Sequence, residues 1–74
     1  MIEKVIEILS EFTEMKTDDM NINTKLVADM MLNSLDVVNV IVAFEEEFDI
    51  EIPDKIIKEL ETIGDIVDYL NSHV

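Results

Sequence analysis

Apolar residues return every three or four positions from the start of the chain, at Ile2, Val5, Ile6, Leu9 and Phe12, with Glu3, Glu7, Glu11 and Glu14 on the other side. That period predicts an amphipathic helix over residues 2–15, favoured at its beginning by Glu3 and Glu7 and at its end by Lys16 through the helix dipole. Over residues 17–32 the period disappears, and Asp18, Asp19, Asn21, Asn23 and Thr24 predict a long connection with local turns. A connection of this length needs anchors, and Met20, Ile22, Leu26, Val27 and Met30 are the apolar residues able to pin it.

The stretch from Asn33 to Asp49 organises the rest. Val37, Val40, Ile41, Phe44 and Phe48 form one helical stripe, the expected core face. Leu35, Val38 and Val42 form a second apolar row, interleaved with Asp36, Asn39, Glu45 and Glu46, which a core helix does not need and which reads as a contact surface. The many β-branched residues favour a strand, but strict alternation is missing and no Gly or Pro interrupts the run, so helix wins. Asn33 is a favoured N-cap and Asp36 stands three residues later, which puts Ser34 in the first turn beside exposed N–H groups.

Beyond Asp49, Ile50 and Ile52 alternate with Glu51 in an extended connector, and Pro53 can open a brief helix over 54–60 carrying Ile56, Ile57 and Leu60. Thr62 and Asp65 stand at capping-box spacing before a last helix whose core face is Ile63, Ile66, Val67 and Leu70, with Val74 near its end. Gly64, the only glycine, falls in the first turn of that helix, where it signals close packing. Tyr69 is expected to bury its ring and keep its hydroxyl wet. The pattern predicts an all-α four-helix bundle with a short third helix and a long first loop, residues 1–74 forming a single domain.

The run Asn33-Ser34-Leu35-Asp36 before an apolar helix, then Glu45 to Asp54 and Ile63 to Leu70, resembles the acyl carrier proteins of fatty acid and polyketide synthesis, over essentially the whole chain. The resemblance implies that Ser34 receives 4′-phosphopantetheine from a phosphopantetheinyl transferase and holds acyl cargo as thioesters. It further implies a surface for basic synthase or acyl-transfer enzymes made of Leu35, Asp36, Val38, Asn39, Val42, Glu45 and Glu46. An acyl cleft lined by Val37, Ile41, Ala43, Phe44, Ile52 and Ile57 is expected from the same source. An aminoacyl or D-alanyl carrier would use the same serine, and an unmodified acidic adaptor would use only the apolar row. Three departures stand out: Asn33 replaces the family's usual aspartate, Asn39 stands where many relatives have glutamate, and Met31 takes the place of a usual glycine in the loop before Ser34.

Eighteen acids against five lysines, without arginine, give a net charge of −13. Nucleic acid and anionic membrane surfaces are repelled, whereas basic protein surfaces are attracted. Acidic tails are often disordered, but here 49% of residues are hydrophobic and recur with helical spacing, so the chain folds. There is no cysteine, which suits a reducing compartment, and with no secretory leader or membrane span in the sequence the expectation is a cytoplasmic monomer. Catalysis is not expected: the only histidine, His73, stands near the end of the chain, remote in sequence from Ser34. Nor is a metal site, since the consecutive carboxylates Glu45, Glu46 and Glu47 diverge on a helix.

Overall fold

A computed structural model describes residues 1–73 and shows α1 (Ile2–Leu9), a 3₁₀ turn (Thr17–Asp19), α2 (Ser34–Phe48), α3 (Asp54–Ile57) and α4 (Ile63–His73). This is the all-α arrangement, with a short third helix and a long first loop, that the hydrophobic pattern predicts. Val74, expected on the core face of α4, lies outside the described residues. The core forms where α1 packs on both α2 and α4, and Val5, Leu9, Val40, Phe44, Ile63 and Leu70 at its centre are completely buried. Each large side chain of this kind contributes about 1.5–3 kcal/mol by leaving water.

Two helices stop earlier than their apolar periods suggest. After Leu9 the winding tightens, because the N–H groups of Glu11 and Phe12 reach only three residues back, to Ile8 and Leu9. The Ser10 hydroxyl meanwhile donates to the Glu7 carbonyl. Thr13 then takes over, accepting from the Met15 N–H and donating to the Met30 carbonyl, so residues 13–15 are tied to the long loop. Lys16 therefore flanks the 3₁₀ turn and does not complement the end of α1. In α3 the same tightening follows Ile57, with Glu59 and Leu60 bonded to Ile56 and Ile57.

The long loop is anchored by Met20, Leu26 and Met30, as expected, and also by Leu32 and the buried Thr24. Ile22 and Val27 are not anchors: their side chains are 54% and 64% exposed. The hold at Ile22 is through its backbone. Residues 22–26 run antiparallel to residues 61–64, with a bridge between Lys25 and Thr62. The Leu26 N–H donates to the Glu61 carbonyl, the Ile63 N–H to that of Thr24, and the Gly64 N–H to that of Ile22.

These bonds complete the start of α4. A helix leaves its first N–H groups without internal partners. Here Thr62 N–H donates to Asp65 Oδ2 and Asp65 N–H to Thr62 Oγ1, the expected capping box, while loop carbonyls take the N–H groups of Ile63 and Gly64. The N–H groups of Thr62 and then Glu61 hold the Asp65 carboxyl below the usual carboxylate range; burial opposes them, and the Thr62 hydroxyl adds a lesser downward pull. A carboxyl with a depressed folded-state pKa adds stability that is complete above its unfolded value, about 3.9, and is lost as pH falls through the folded value. Asp65→Asn is therefore expected to cost about 0.3–1 kcal/mol at pH 7, the range for a solvent-screened carboxylate in the first turn of a helix. The gap to the parent should narrow at a second, acidic pH, below the depressed folded-state value, where Asp65 is protonated in both states. Urea melts at the two pH values check this, and an equal gap at both would deny the carboxylate its role.

Candidate functional site

At the start of α2 the Asn33 side chain accepts from the Asp36 N–H at 2.8 Å, and Asp36 Oδ2 accepts from the Asn33 N–H at 3.3 Å. The capping box read from the sequence is therefore formed, and it leaves Ser34 with no duty at the helix end. Ser34 is the first residue of α2 and is exposed. Of the three serines, Ser10 and Ser72 donate their hydroxyls to backbone carbonyls within their own turns, whereas the Ser34 hydroxyl makes no hydrogen bond among the described residues. The same holds for the N–H groups of Ser34 and Leu35. The helices α2 and α4 thus share one capping device, but only α2 keeps its next two donors open, at the positive end of the helix dipole.

Leu26, Met30 and Leu32 are buried and pin the loop just before this point. Between Met30 and Leu32 the chain reverses through Met31, whose φ of 61° lies in the left-handed region. This is the position where the resembled family usually has glycine. A non-glycine residue there costs about 1–2 kcal/mol, partly offset by the greater freedom glycine has in the unfolded chain. The Met31 side chain is 81% exposed and packs nothing. Met31→Gly is therefore expected to raise stability by about 0.5–1 kcal/mol, read as a thermal midpoint several degrees higher. An unchanged or lower midpoint would mean that Met31 is not strained. Asp49, the C-cap of α2, is also left-handed at φ 54°, a conformation aspartate tolerates better.

Ser34 lies on the wall of an apolar groove of about 720 Å³. Val37 and Val38 continue that wall along α2, and Leu26, Val27, Ile57 and Leu60 complete it. Of the expected cleft residues only Val37 and Ile57 line this groove. Ile41 and Phe44 are buried in the core, and Ile52 is buried beside a separate groove at the C-terminal end of α2. Ala43 lies one turn before Glu47, which pairs with Lys4 of α1 at 3.8 Å, so Ala43 faces α1. Val37 thus serves both, packed against the core and bordering the groove, while Val40, Ile41 and Phe44 of the same stripe stay inside.

The second apolar row is exposed: Leu35 is 68%, Val38 49% and Val42 43% accessible. Asn39 and Glu46 are exposed beside it. Asp36 and Glu45 are half-buried and occupied, Asp36 in the capping box and Glu45 by accepting from the Ile52 N–H at 2.8 Å. Glu45 is thus a tie between α2 and the extended connector, a role that sequence reasoning missed because its partner lies outside the helix. The three consecutive glutamates diverge, Glu45 to Ile52, Glu47 to Lys4 and Glu46 to solvent. His73 stacks on Tyr69 at 4.0 Å and bonds the Tyr69 carbonyl through Nδ1 at the C-terminal end of α4. No described helix is long and apolar enough to cross a membrane.

A family model for the phosphopantetheine attachment site matches residues 3–70. The mitochondrial acyl carrier protein of Saccharomyces cerevisiae is 40% identical over 75 aligned positions, covering 96% of this chain and 60% of the yeast protein. Acyl carrier proteins of Clostridium perfringens and Clostridium acetobutylicum are each 34% identical over 73 positions, covering 99% of this chain and 96% and 95% of theirs. The matched domain is the attachment site of the prosthetic group 4′-phosphopantetheine. With that match over nearly all of its length and these relatives beside it, the chain belongs to the acyl carrier protein family.

Proposed function

We propose that Ser34 is the attachment residue and that the chain carries acyl intermediates for fatty acid or polyketide-type synthesis. The observation that carries this reading is the exposed, unbonded hydroxyl of Ser34 beside two open N–H groups. The residues present fit the group. A phosphate ester on Ser34 Oγ would lie at the positive end of α2, beside the open N–H groups of Ser34 and Leu35, whose counterparts in α4 are already bonded. The groove that begins at Ser34 offers apolar wall to whatever is tethered there. When bound, the prosthetic group supplies a terminal thiol that takes acyl chains as thioesters.

The chain's own residues hold and present, and among the described residues none hydrogen-bonds the Ser34 hydroxyl. Asn33 and Asp36 fix the helix end, and Leu26, Met30 and Leu32 fix the loop before it. Leu35, Val38 and Val42, with Asp36 and Glu46 nearby, make an apolar ridge edged by acids, suited to a transferase or synthase surface of apolar pockets edged by Lys and Arg. A cytoplasmic setting belongs to the same reading, supported by clostridial relatives of nearly this length; the yeast relative's mitochondrial name marks the other compartment. Coexpression with a phosphopantetheinyl transferase, followed by intact mass, tests the reading. One added 4′-phosphopantetheine per chain is expected. An unchanged mass would leave an unmodified acidic adaptor.

A further inference from the structure

Lysine is scarce in this chain, yet two of its five lysines, Lys25 and Lys58, line the groove that begins at Ser34. Glu61 is the only carboxylate there. The groove at the other end of α2 has the opposite character, with Glu45, Glu46, Asp49, Glu51 and Asp54 and no lysine. Among the described residues neither Lys25 nor Lys58 is in an ion pair, the one such pair being Lys4 with Glu47. In a molecule of net charge −13, the lining of the apolar groove beside the tether thus carries two lysines and one carboxylate, with the Asp29 carboxylate just outside it, accepting from the Lys25 backbone N–H at 2.8 Å.

We propose that this groove selects acyl cargo ending in a carboxylate, with the methylenes against Val37, Val38 and Ile57 and the far carboxylate paired with Lys25 and Lys58. The proposal rests on the carrier reading above. A purely alkyl tail would use the apolar wall and leave both ammonium groups in water. A dicarboxylic acyl chain uses both, whereas in the groove at the other end of α2 the same carboxylate meets only charges of its own sign. The open N–H groups of Ser34 and Leu35 are donors available to a phosphate ester at Ser34, separate from these lysines. Lys25 and Lys58 are accordingly the residues that set cargo preference.

The test loads the protein through a transferase with adipyl- or hexanoyl-coenzyme A, the acylated phosphopantetheine passing to Ser34 Oγ with release of adenosine 3′,5′-bisphosphate, and measures thioester cleavage by hydroxylamine at pH 7, each rate taken relative to the same thioester on free pantetheine. Exposed ion pairs of this kind are worth a small factor each, so the adipyl thioester should be cleaved roughly threefold more slowly than the hexanoyl one, a contrast that fades with salt. In the Lys25→Gln/Lys58→Gln protein the contrast should vanish. In a Lys4→Gln/Lys16→Gln protein, with the same net charge, it should persist. Circular dichroism confirms that both variants remain helical. Equal protection of the two thioesters in the parent, or a contrast that survives loss of Lys25 and Lys58, overturns the proposal alone. No mass gain on loading overturns the carrier reading and this proposal with it.

Discussion

Ser34→Ala is expected to abolish addition of the prosthetic group while changing stability by less than about 0.5 kcal/mol. The separation follows from the start of α2, where Asn33 and Asp36 accept each other's N–H and the serine hydroxyl takes no part. The complementary variant is Asn33→Ala, which removes the cap, keeps the hydroxyl, and is expected to cost about 1 kcal/mol. For a domain of this size that lowers the thermal midpoint by about 4–8 °C. Intact mass and thermal melts on the two variants read both quantities. A mass gain in Ser34→Ala would move the tether to another residue, and loss of helical signal would make Ser34 a structural residue. Ser10 and Ser72 are poor substitutes, since each hydroxyl is already bonded to a carbonyl three or four residues back.

Gly64→Ala is expected to be among the most damaging single substitutions. A Cβ at this position would stand 2.8 Å from the Ile22 carbonyl oxygen and 3.3 Å from Ile22 Cβ. The oxygen is backbone, accepts from the Gly64 N–H at 2.9 Å, and belongs to the strap that also pairs Thr24 with Ile63. It has little freedom to retreat. Helix propensity pulls the other way, because alanine is favoured over glycine by about 1 kcal/mol inside a helix. A contact closer than real Cβ atoms show, together with loss of the strap, outweighs that gain, and a net loss of about 1–3 kcal/mol is expected. In a 74-residue chain this is a large share of the total stability. Thermal melts read the sign directly: a higher midpoint would mean that propensity wins and the strap is slack.

Both outcomes depend on features of different origin. The residue pattern alone determined the four helices, both capping boxes, the place of Ser34 in the first turn of α2, and the two apolar rows of that helix. All of these are set by neighbours three or four positions apart, which share a helix face or meet across one turn. The strain at Met31, whose φ is 61°, was also half-visible, as a methionine standing where the pattern of the resembled family puts glycine.

What only the tertiary structure decided involves partners far apart in the chain. Thr13 reaching Met30, Ile22 and Thr24 meeting Gly64 and Ile63, and Glu45 holding Ile52 all join residues that no local period relates. These bonds tie the end of α1 to the long loop and hold that loop with the side chains of Ile22 and Val27 exposed. They also close the start of α4 while leaving the start of α2 open. The helix ends carry the same box in the sequence, and they differ because an unpaired N–H takes whatever acceptor the fold brings to it.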